Sequence, residues 1–210
     1  MFPKATIISA LVGLAVAAPA SQTKSGLISS YEFQGIAIKS GDVTIQSHLI
    51  EASAGNLNIN NGTTTACPAS DCSASTDESD KTVFIYDIAT KQVSLATSGT
   101  GFQIVFVRPD GSLGFSEAHS GGSRDARTGE PLEGYVSPFD FAPPYSGDTN
   151  GHLTFEGKPF LACPTGDEKR SYVIHTEAVN YSEEKNHGSN CQPIGFYTNE
   201  YSGKTAFQYD

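Results

Sequence analysis

Apolar and polar residues alternate in short bursts along this chain, and the bursts return roughly every 8–12 residues with turn-forming residues between them. Strand patterns fall at 33–38, 43–45, 49–52, 57–59, 82–86, 93–95, 102–107, 113–115, 153–155, 160–162, 172–176 and 194–197. The turns carry the appropriate chemistry: Ser40-Gly41-Asp42, a break at Gly55, Pro109-Asp110-Gly111 and Gly157-Lys158-Pro159. Residues 102–115 read as a strong hairpin, and 151–164, GHLTFEGKPFLACP, read as a second. In the second, Leu153, Phe155, Phe160 and Leu161 are core candidates. No stretch shows a capped 3.6-residue period, and 21 Gly with 11 Pro leave little room for helices.

This pattern predicts an all-β fold in one compact domain spanning 33–210. Three segments, 41–59, 90–107 and 150–176, each read as a turn followed by strands. Their loose echo favours a barrel of β-trefoil type, with a two-sheet β-sandwich as the alternative. Two long surface loops interrupt the strands: 60–82, rich in Ser, Thr and Asp, and 118–149, rich in Gly, Pro and charge. Phe139, Phe141 and Tyr145 in the second loop are expected to pin it to the barrel.

The amino terminus changes the picture next. One cation at Lys4, an apolar run over 5–18 and small residues at Ala18-Pro19-Ala20 have the three parts of a secretory signal peptide, with cleavage expected after Ala20. Residues 21–32 then form a flexible lead-in. The apolar run is too short to span a bilayer comfortably, and the polar ending EYSGKTAFQYD lacks the hydrophobic tail of a lipid-anchor signal. The reading is therefore a protein of the cell wall or the extracellular medium with no membrane anchor.

Charge narrows the partners. The net charge of −10 becomes −11 once Lys4 leaves with the leader. With the bases dispersed, this surface repels phosphate backbones, and no nucleic-acid partner is expected. The four cysteines, Cys67, Cys72, Cys163 and Cys191, imply two disulfides in an oxidising compartment. Three pairings are open. Nearness in sequence favours Cys67–Cys72 and Cys163–Cys191, the latter worth about 3–4 kcal/mol by loop entropy. The spacings match no zinc module, and no metal or other cofactor is expected. Asn61 and Asn180 head N-glycosylation sequons.

Two groups of residues have the types needed for acid–base chemistry. His175 and Glu177 stand two apart on a strand, and so on one face. The run Arg124-Asp125-Ala126-Arg127, with Glu130 and nearby His119, lies in the 118–149 loop. Its Glu, Arg and His are the types a small secreted nuclease uses, with His119, Arg124 and Glu130 in the working roles, but a Gly-flanked loop preorganises them poorly. No metalloprotease, nucleophile-elbow, phosphate-loop or calcium-loop motif occurs. We expect no catalytic residue. The aromatic residues Tyr135, Phe139, Phe141 and Tyr145 are candidates for stacking on sugars.

The blocks GIAIKSGDVTIQSHLIEA (35–52), TVFIYD (82–87), NGHLTFEGKPFLACP (150–164) and NCQPIG (190–195) resemble the PhiA-type secreted cell-wall proteins of filamentous fungi. The similarity covers most of 33–198 and is most specific from Asn150 to Pro164 with the following Cys191. The resemblance implies a cell-wall location and a part in phialide and conidium development, and it carries no catalytic residues. The chain departs from the family pattern in its 60–82 segment, in the length of 118–149 and in lacking a further cysteine near the mature amino terminus. The leading expectation is a non-enzymatic secreted or wall-associated protein. The alternatives are a secreted carbohydrate-binding module or effector with wall polysaccharide as partner, and a small hydrolase or nuclease.

Overall fold

In β1 (Ser30–Ile38) Phe33, Gly35 and Ala37 point into the core while their neighbours face outward, the two-residue period that a half-buried strand requires. The same alternation builds β2 (His48–Ser53), β5 (Phe84–Asp87), β6 (Gln92–Leu95) and β10 (Asn150–Phe155). The other strands are β3 (Asn56–Ile59), β4 (Thr65–Ala66), β7 (Gln103–Val107), β8 (Leu113–Phe115), β9 (Phe139–Ala142), β11 (Phe160–Pro164), β12 (Tyr172–Thr176), β13 (Gln192–Glu200) and β14 (Gln208–Tyr209). They come from a computed structural model, which describes residues 29–67, 81–99, 101–144, 150–168, 170–179 and 190–210. No helix occurs among the described residues.

Nine strands close an antiparallel barrel in the order β1-β5-β6-β7-β8-β3-β12-β11-β13, and β13 returns to β1 along Phe33–Ile38. The fold is therefore the expected barrel. β2 lies inside this circuit as a bridge, paired with both β1 and β3. The three echoing segments take inequivalent positions: the first yields the β2–β3 hairpin, the second the β6–β7 pair, and the third three strands spread around β13 and β12.

Residues 102–115 form the expected hairpin, with Val105 opposite Phe115 and Val107 opposite Leu113. The 151–164 segment does not. β10 and β11 turn away from each other, and both join the long strand β13, β11 along Gln192–Ile194 and β10 along Phe196–Asn199. Only the Phe155–Lys158 bridge closes their turn. The nine-residue β13 is long enough to serve both strands in succession, β11 at its start and β10 further on, while β9 and β12 take their other edges, so the backbone groups are paired without a hairpin. The 43–45 pattern is also not a strand. Asp42 Oδ1 accepts hydrogen bonds from Thr44 N (2.9 Å) and Thr44 Oγ1 (2.6 Å), and the amides of Ile45 and Gln46 donate to the Asp42 carbonyl. Side-chain capping turns the chain there, burying Ile45 and leaving Val43 85% exposed.

Phenylalanine fills the barrel. Phe33, Phe84, Phe115, Phe139, Phe155, Phe160 and Phe196 are fully buried, and rings meet in series from Phe33 to Phe84 (5.4 Å), Phe84 to Phe196 (5.8 Å) and Phe196 to Phe160 (5.4 Å). Each such ring removes on the order of 150–250 Å² from water, so this cluster is the main source of stability. The Cys163–Cys191 disulfide, the pairing favoured from sequence, fastens β11 to the start of β13. Cys67 is also disulfide-bonded, and Cys72 lies outside the described residues.

Candidate functional site

The densest set of buried polar groups sits at the turn between β7 and β8. Gly111 N donates to the Arg108 carbonyl and Arg108 N to the Ser112 carbonyl, closing a turn around Pro109 and Asp110. The closure aims the Arg108 side chain inward, where it is 3% exposed. Its guanidinium has five N–H groups. Nε donates to Asp125 Oδ2 (2.6 Å), and Nη2 donates to Asp125 Oδ1 (2.7 Å) and the Gly55 carbonyl (2.6 Å). Nη1 donates to Asn56 Oδ1 (2.9 Å) and Ser112 Oγ (3.4 Å). Every donor is used. The cation also lies 5.2 Å from the centre of the Phe106 ring. A methyl group on Gly114 would come within 2.2 Å of Nη2, so only glycine leaves room for this arrangement.

Burial by itself would push the Asp125 carboxyl up. Hydrogen bonds from the Arg108 side chain and the Arg127 amide, together with the charges of both arginines, outweigh burial and hold it below the usual carboxylate range. Asp110 follows the same logic. Burial raises it, while the Ser112 hydroxyl (2.6 Å) and amide (2.9 Å), with the charges of His175 and Arg127, bring it below the normal value. A cavity of about 200 Å³ opens beside this cluster, lined by Asn56, Asp110, Ser112, Arg127 and His175 among others. The Ser112 hydroxyl donates to Asp110, a carboxylate made less basic than normal. Activating a serine needs a base that can take its proton near neutral pH, and Asp110 is tuned away from that task. The cluster can bind and orient; as arranged, it is a clasp joining the β2–β3 turn, the β7–β8 turn and the loop at Asp125.

The residues singled out from sequence are dispersed. His175 is buried at the cavity, whereas Glu177 lies past the end of β12 and is exposed, so the pair does not share a strand face. His119 Nε2 lies 3.1 Å from Gln208 Oε1, and Arg124 Nη1 donates to the Gly129 carbonyl (2.6 Å). Glu130 lines a second concavity with Asp125, which shares Asp110 and Arg127 with the cavity at His175. Of the proposed aromatic platform, Phe139 is fully buried edge-on to Phe155 (4.9 Å), and Phe141 is stacked on Tyr31 (5.0 Å) and Tyr86 (5.2 Å). These two stand two apart on β9 and so share a face, on which Phe139 is buried and Phe141 is half-buried against the core. Tyr135 is 50% exposed beside Val107, and Tyr145 lies outside the described residues. No common stacking surface exists among the described members. Asn61 is half-buried and its Nδ2 donates to Ser53 Oγ (3.3 Å); Asn180 lies outside the described residues.

Among the described residues, no group of three or more His, Cys, Asp or Glu side chains is placed to hold a metal ion. Sequence reading reached Asp125 only as one member of the charged run 124–127 and missed Arg108, because Arg108 is adjacent to a turn, Asp125 sits in an irregular loop, and nothing local announces that the two meet. Comparison with known proteins returned no curated protein and no solved structure that matches. A family model described as PhiA-like secreted protein matches residues 33–210, nearly the whole of the described barrel. The chain therefore belongs to the PhiA-like secreted proteins.

Proposed function

We propose that this secreted protein works as a non-catalytic component of the fungal cell wall, with a part in phialide and conidium development, and that it acts by binding rather than by turnover. One observation carries the non-catalytic reading: the strongest concentration of buried charge is committed to internal hydrogen bonds, with all five Arg108 donors and both Asp125 oxygens engaged. The family-wide association with the outside of the cell supports the location. A copy tagged in the fungus at native level, with wall, medium and cytosol compared, tests it. The expected result is protein in the wall fraction and a deletion strain with fewer conidia. Purified protein that hydrolyses a wall polymer, with activity lost in Asp110→Asn or His175→Ala, would overturn the non-catalytic reading.

A further inference from the structure

The strand register places a second, unassigned feature on the outside of the barrel. Ile85 pairs with Ser94 and Ser94 with Ile104, so these three side chains form one outward row across β5, β6 and β7. A second row runs from Ser30 through Asp87 to Gln92. Neighbouring strands lie about 4.8 Å apart, which makes the floor a continuous strip of side chains. The turn with Thr90 stands at one end. At the other, Thr97 Oγ1 donates to the Gly101 carbonyl (3.1 Å) and holds the base of the loop that carries Phe102, 75% exposed. Gly122 of a neighbouring loop closes on Ile104; a Cβ there would come within 2.5 Å of Ile104 Cδ1. Floor and walls enclose a trough of about 590 Å³.

We infer that this trough binds a neutral polysaccharide chain. Its chemistry selects the occupant. No cation lines it, so nothing there compensates a phosphate or carboxylate ligand approaching a chain of net charge −10. β5, β6 and β7 are each paired on both sides, so the trough offers no free strand edge for an added peptide strand. What remains is the exposed Phe102 ring, the aliphatic side chains of Ile85 and Ile104, hydroxyls, the Gln92 amide and the Asp87 carboxylate, an acceptor for sugar hydroxyls that further disfavours an anionic ligand. The ring and the isoleucines match the apolar faces of a sugar, and Ser94, Thr90 and Gln92 supply donors and acceptors for its hydroxyls.

This inference deepens the wall reading by naming what would hold the protein there, and its test separates the two. Purified protein is incubated with particulate β-1,3-glucan, chitin and mannan, and the bound fraction is measured. Wild type should be retained by at least one polymer, and retention should persist in about 1 M salt, where charge is screened beyond about 3 Å. Phe102→Ala should weaken retention by about tenfold, the usual scale for losing one aromatic anchor. Ser94→Arg, which fills the floor, should abolish it. Tyr135→Ala, an exposed aromatic outside the trough, should change nothing, and thermal melts confirm that all variants fold. Retention by none of the polymers, retention lost in salt, or equal retention of wild type, Phe102→Ala and Ser94→Arg would each overturn the site. Wild type and Phe102→Ala equally wall-held in the fungus would leave wall association standing and sink the trough as its cause. Wild type wholly in the medium, with polymer retention that Phe102→Ala removes, would sink wall association and uphold the trough.

Discussion

Arg108 and Asp125 are each nine-tenths or more buried as side chains, and a charge in that position survives only with a full set of partners. Arg108→Met removes the partner and leaves the Asp125 carboxylate uncompensated, with an expected loss of about 3–5 kcal/mol in urea unfolding. The double variant Arg108→Met/Asp125→Leu should recover much of that loss, because no charge is then stranded. A double variant as unstable as the single would show that the pair itself, and not the orphaned carboxylate, carries the energy. Tyr209 gives a second residue-scale expectation. Its hydroxyl accepts from Val83 N and donates to the Lys81 carbonyl, both at 3.1 Å, and burial pushes its pKa up to about 12. The neutral phenol is favoured in the folded state, so this contribution is complete below the unfolded value of about 10 and is lost as pH rises toward about 12. Unfolding measured across that range should fall more steeply for wild type than for Tyr209→Phe; parallel curves would remove Tyr209 as the cause.

At the scale of elements, long strands were legible and short or distant pairings were not. Eleven of the twelve apolar bursts foreshadow β1–β3, β5–β8 and β10–β13, because alternation is a local consequence of burying one face. β9 falls within the segment whose sequence reads as loop, since Phe139 and Phe141 sit among prolines and only the ladder to β10 makes it a strand. β4 and β14 are two residues each and exist through their mutual pairing, which brings the carboxy terminus back to Thr65–Ala66. The disulfide belongs to the same scale. Ala162 faces Gln192 in the β11–β13 ladder, so Cys163 and Cys191 stand as the next facing positions, 4.1 Å apart at Cα and 28 residues apart in sequence. Cys163→Ser/Cys191→Ser should lower stability by about 3–4 kcal/mol, chiefly by freeing the unfolded chain. An unchanged urea midpoint would mean that the ladder alone sets that loop.

At the scale of the molecule, the carboxylates set the acid limit. Asp42 and Asp87 are held below the usual range mainly by hydrogen bonds from Thr44 and Thr90, while in Asp110 and Asp125 such bonds and nearby cations outweigh burial. Depressed carboxyls contribute stability above the unfolded value of about 3.9, and that contribution is lost as pH falls through their folded values. A melting temperature flat near neutrality and falling below about pH 4 is expected, and one that holds steady to pH 2 would contradict it. Much about the whole was already present in the chain: its place among secreted proteins, its acidic charge, the all-β class, the favoured Cys163–Cys191 pairing and the family resemblance, because composition, period and short motifs are local properties. The tertiary structure alone decided that β10 and β11 part to share β13, that Arg108 meets Asp125, that Phe139 is buried in the core while Phe141 packs half-buried against it, and that Ile85, Ser94 and Ile104 line up beside Phe102. Each of these depends on which distant strands become neighbours and in what register, and a barrel sets its register by closing on itself.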